Sequence, residues 1–143
     1  MLQISNVTRL LCGVILITVP TIEFGGVFLL KTLRGREAGY MDNPIRQNLF
    51  RAGHAHAGVL VILSLICQVL VDSIFLPGPL AWIARLGAPA AAILIPAGFF
   101  LSVATPRYER PNGAIQLVYL GAAILAISVL ILGMGLVRAG VYR

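Results

Sequence analysis

The chain's two histidines, His54 and His56, stand two residues apart in Phe50-Arg51-Ala52-Gly53-His54-Ala55-His56-Ala57-Gly58, at the opening of a long apolar run. Imidazole is a competent ligand for copper, zinc or haem iron, and it also carries protons near neutral pH. A second ionisable group, Glu23, sits inside another apolar run, after Pro20 and before Gly25-Gly26. A carboxyl in such a setting is costly and by default marks function or a partner. It suits a metal ligand, a proton carrier or a substrate anchor, and equally a hydrogen-bonded group stapling helices together.

Helical geometry separates the two histidines. At about 100° per residue, positions i and i+2 lie about 200° apart. His54 shares a face with Phe50, Ala57 and Val61, whereas His56 shares one with Ala52, Leu60 and Leu63. Metal-binding helical pairs use i, i+3 or i, i+4 spacing instead. Either the helix is distorted here, or each ring addresses a different neighbour. Other polar groups fall at a similar level: Arg51, Ser102 and Thr105, Gln116 and Tyr119, with Tyr108 in the adjoining loop. Together with Glu23, His54 and His56, they outline a polar pocket opening to the cytoplasm. The plainer reading is that each sits near an interface, where Tyr and His are common anyway. At the other end, Asp72 is placed to pair with Arg9 or Arg85 as a structural clamp.

These residues need elements to hold them, and the composition names the kind. The chain has 143 residues, 59% hydrophobic and 11% charged, with mean hydropathy +0.94, too apolar for an ordinary soluble domain. A span must cross roughly 30 Å of hydrocarbon, about 20 residues of helix. Four fit, at about 10–33, 50–71, 80–104 and 113–137, so the expected fold is an all-α, polytopic membrane four-helix bundle forming one unit. The first run is too long for a signal peptide and no small-x-small cleavage site follows, so it reads as an uncleaved helix. Pro20 predicts a kink in it, and Pro89 and Pro96 predict breaks in the third span. Asn43 suits an N-cap and Pro44 the first helical position, so the second helix begins before it enters the hydrocarbon. Pro77-Gly78-Pro79 makes a tight turn.

Small residues are dense in the spans, as at Gly87 to Ala92 and Gly121 to Ala126. Helix association in lipid relies on the close backbone approach they permit, and short helices burying little surface point to a homo-oligomer or a larger membrane complex. Cys12 and Cys67 lie within spans without CxxC spacing, which suits small buried hydrophobes; a disulfide between neighbouring helices is also geometrically open. The net charge of +6 reports topology rather than nucleic-acid binding. The loops after spans one and three carry Lys31, Arg34, Arg36, Arg46, Arg51, Arg107 and Arg110, against Arg9, Arg85, Arg138 and Arg143 on the opposite side. That imbalance puts the two basic loops in the cytoplasm and both termini outside.

Two resemblances attach to these residues. The string FRAGHAHAGVLVILSL, with Thr21-Ile22-Glu23-Phe24-Gly25-Gly26, resembles small bacterial four-span membrane proteins, which implies a bacterial inner-membrane location and no particular reaction. The size, the four spans and an Arg51-Ala52 pair opening helix two are similar to the MAPEG family of membrane glutathione transferases. That family's motif is Arg-Ala-His-x-Asn-x-x-Glu, and here Gly53, Ala55 and Gly58 stand at its His, Asn and Glu positions. What carries over is the architecture of a MAPEG-like transferase without its glutathione residues. The functional readings are therefore a metal or haem site at His54 or His56 with Glu23 nearby, a proton-coupled transporter or channel using the same groups, and a non-catalytic subunit of a membrane complex.

Overall fold

The computed structural model describes residues 3–35, 39–105 and 110–141; Arg36, Arg107, Tyr108 and Arg143, named above, lie outside the described residues. Four α-helices account for most of the chain: α1 (Asn6–Gly35), α2 (Pro44–Val71), α3 (Gly78–Ser102) and α4 (Gln116–Val141), the last preceded by a 3-10 turn at Gly113–Ile115. All four are long and apolar enough to cross a membrane, and the protein is an integral membrane protein. α1 and α2 begin four and six residues before the spans read from sequence and α4 continues four residues beyond its own, whereas α3 begins two residues earlier and ends two residues earlier than read. α3 runs unbroken through Pro89 and Pro96 rather than being divided by them, and α1 runs through Pro20. The carbonyls that a proline leaves unpaired do not end a helix that its neighbours hold in place.

The helices form a row more than a closed square. α3 is central, packed along α2 on one side and α4 on the other, while α1 packs chiefly on α2. The α3–α4 seam is built from small residues. Ala84, Ala88 and Ala91 are fully buried, and a Cβ on Gly87 would stand 2.2 Å from Cβ of Ser128. A Cβ on Gly98 or Gly121 would likewise reach within 2.7 Å of Val118 or Ile95. Hydrocarbon offers no hydrophobic drive for helix pairing, so this backbone proximity and the dispersion it brings hold the seam.

Polar side chains fasten each end. At the basic end the Asn43 side chain accepts from the Arg46 amide at 3.0 Å, capping α2 with Pro44 in its first turn. Arg46 lies over the Phe50 ring and donates to the carbonyls of Gly39 and Ala104, each at 3.2 Å, tying the α1–α2 connection to the end of α3. Gly39 holds φ 78°, a left-handed conformation that glycine adopts without penalty. Tyr40, 2% exposed, packs beneath with Leu29, Phe50 and Val103.

At the opposite end Asp72 pairs with Arg85, while Arg9 reaches the Asn6 side chain at 3.4 Å instead. Arg85 also donates to the Thr8 hydroxyl at 2.6 Å, and its carbonyl accepts from the Gln68 amide at 2.6 Å. Ser5 donates its backbone N–H and its hydroxyl to the Asp72 carboxylate at 2.8 and 3.0 Å. Burial alone would raise the Asp72 pKa, but the hydrogen bonds from the Ser5 backbone, Arg85 and the hydroxyls outweigh it. They lower the pKa from 3.8 to about 2. This network joins α1, α2 and α3 at one level. Cys12 is half-buried, Cys67 is buried, and both are free thiols.

Candidate functional site

α1 and α3 do not close against each other along their middle, and between them lies a cleft of about 390 Å³ floored by α2. Val14, Thr18 and Thr21 line it from α1, Ala57, Val61 and Ser64 from α2, and Ile93, Pro96 and Phe100 from α3. Thr18, Thr21 and Ser64 turn their hydroxyls back onto their own helices, donating to Ile15, Thr18 and Leu60 carbonyls at 2.6 Å each. The wall is therefore apolar in effect, because its hydroxyl protons are already spent. Val14 and Ile93 are 53% and 70% exposed, so the mouth opens sideways between the helices at mid-span.

The one titratable group in this lining is His54, and it makes no hydrogen bond or ion pair among the described residues. Its ring lies against α1 at Gly25 and Gly26. A Cβ on Gly26 would stand 3.2 Å from Cε1 and Nε2, and one on Gly25 would stand 3.6 Å from Nδ1. The two glycines thus form a notch that admits the imidazole edge. On the α3 side, a Cβ on Gly53 would meet the Phe100 ring at 3.1 Å and Cβ of Phe99 at 3.2 Å, so bare backbone there draws α3 close.

His56 takes the opposite side of α2. Its Nδ1 lies 2.7 Å from the Ala52 carbonyl, a hydrogen bond in which the ring donates because a carbonyl carries no proton. Its ring rests on Phe99 with centroids 5.2 Å apart, and the residue is exposed. Phe99 and Phe100, adjacent on α3, therefore straddle α2, one ring toward each histidine.

The remaining residues of the expected pocket do not gather at His54. Glu23 is exposed on α1, Arg51 is exposed on α2, and Gln116 and Tyr119 are exposed on α4. Ser102 is fully buried and donates to the Phe99 carbonyl at 3.0 Å, while its own carbonyl accepts from the Asn112 amide at 2.9 Å, fastening the turn into α4. Among the described residues no three His, Cys, Asp or Glu side chains come together as a metal site. What sequence reading missed is the Gly25–Gly26 notch and the threonine-lined wall. The glycine doublet inside a helical run was the available signal, since glycine there often permits a close approach.

No family model matches the chain, and no curated protein or solved structure is found to be similar to it.

Proposed function

We propose that this membrane protein binds an amphiphile drawn from the bilayer, its apolar chain lying in the α1–α3 cleft and its polar oxygen on His54. The observation that carries this reading is an unpaired imidazole in an otherwise apolar cleft that opens at mid-span. Ligand sites of this kind combine a mostly apolar lining with a few polar groups that fix orientation. A neutral imidazole offers both a donor and an acceptor, so it accommodates a hydroxyl, a carbonyl or a protonated carboxyl.

Haem or a metal ion on His54 is the second reading, favoured by the same unpaired ring. Haem suits it better than copper or zinc, because haem asks the protein for a single axial imidazole, whereas an ion asks for several donors. His56 and Glu23 are absent from the lining of this cleft, so an ion on His54 would need donors other than these two.

One preparation separates the two readings. The protein purified from membranes in mild detergent is extracted for organic molecules, scanned for absorption and assayed for metals. A stoichiometric lipid or isoprenoid, absent from His54→Leu and present in His56→Leu, supports the amphiphile. A Soret band or a stoichiometric metal lost in His54→Leu establishes the second reading instead. An empty extract with no chromophore and no metal sinks both.

A further inference from the structure

We infer that Glu23 and His56 together form a self-association surface, through which two copies of this chain pair in the membrane. This inference stands whatever the cleft holds.

Two contacts set the register between α1 and α2: the Thr8 hydroxyl donates to the Gln68 carbonyl, and the Gly26 position lies against the His54 ring. Interpolating between them at 1.5 Å rise per residue places Glu23 level with about residue 56 on the neighbouring helix. The carboxyl and the outer imidazole therefore lie at one depth. They also lie on one face. Going round α1 from Gly25, which lines the cleft, to Gly26 beside His54, a further turn of about 60° in the same sense reaches Glu23. His56 is rotated about 200° from His54 and rests on Phe99, so it too looks away from the cleft.

Both groups are exposed within apolar helices, and Glu23 has no hydrogen bond or ion pair among the described residues. A carboxyl facing hydrocarbon is costly, and the cost falls when it meets a group of complementary chemistry at its own depth. His56 is such a group. Its Nδ1 is engaged by Ala52, which leaves Nε2 free to take a proton from a carboxyl or to pair with a carboxylate.

Symmetry makes a second copy the fitting occupant. A two-fold axis along the membrane normal preserves depth, so Glu23 of one copy meets His56 of the other and the reverse pair forms at the same time. Between the two groups runs the exposed ridge of α2, with Ala55 at their level and Val59, Ile62 and Ile66 beyond it. The small Ala55 lets the two α2 ridges approach where the polar pairs form.

Disulfide trapping in native membranes tests this arrangement, in a background where Cys12 and Cys67 are replaced by alanine. Ala55→Cys is expected to give a homodimer on mild oxidation. Glu23→Cys and His56→Cys on differently tagged chains are expected to give a mixed dimer, and Leu130→Cys on the exposed face of α4 is expected to give none. In parallel, Glu23→Leu is expected to weaken self-association about tenfold, the exchange Glu23→His with His56→Glu to restore it. A monomer in the membrane, dimers trapped at Leu130 but not Ala55, or trapping of positions 23 and 56 to a different protein would each overturn the inference.

Discussion

The Asp72–Arg85 pair shows how much can rest on one carboxyl. Asp72 takes hydrogen bonds from Ser5 and Arg85, and Arg85 reaches on to Thr8, so removing the charge strands a partly buried guanidinium and loosens three helices together. Asp72→Asn is expected to cost about 3 kcal/mol, read by denaturant titration in detergent. The carboxyl's pKa is lower in the folded chain, about 2 against 3.8, so its contribution is fully present above about pH 4. It is lost as pH falls from there toward 2, and a thermal-midpoint series should show a descending limb in that window that Asp72→Asn lacks. At Gly26, an alanine Cβ would press on the His54 ring at 3.2 Å, for a cost of about 1 kcal/mol. Gly13→Ala meets nothing within 4 Å and is expected to stabilise α1 by about 0.5 kcal/mol, so the two unfolding midpoints should move in opposite directions. Several of these residues could be read directly from sequence: Asn43-Pro44 as a helix start and Asp72 with a choice of two arginines. Selecting Arg85 over Arg9 needed the rotation of α3 against α2, which no local pattern encodes. The His54 notch likewise depends on the register of α1 against α2.

At the scale of elements, α3 is the helix whose packing decides the fold. Its glycines and alanines meet α4 with no space to spare, so Gly87→Ala, with a Cβ 2.2 Å from Cβ of Ser128, is expected to cost about 3 kcal/mol. Adding Ser128→Gly should recover most of that loss, and failure to recover it in a denaturation double-mutant cycle would mean the seam is held differently. The number and approximate positions of the helices followed from hydropathy and length, because a bilayer imposes a minimum span that few sequences satisfy by accident. Their rotations did not follow. α4 is apolar on every side, which leaves no polar stripe to say which way Gln116 and Tyr119 turn; in the folded chain both face outward. Pro89 and Pro96 misled for a related reason, since the penalty of an unpaired carbonyl is read locally while the helix is held by its neighbours.

For the whole molecule, alternating direction along four spans places the α1–α2 connection and the α3–α4 connection at one end, with the α2–α3 turn at the other. Single cysteines at Asp42 and Arg110 should therefore react alike with a membrane-impermeant thiol reagent in sealed vesicles, and one at Ser73 should react oppositely. The charge balance expects the first two to be cytoplasmic, and labelling from that side checks it. The sideways mouth of the cleft, framed by Val14 and Ile93, carries a further consequence. A molecule arriving through it travels in two dimensions, so occupancy follows its mole fraction among lipids and not its concentration in the aqueous phase. Diluting the protein in buffer would leave the site filled, whereas fusing its vesicles with empty lipid would drain it.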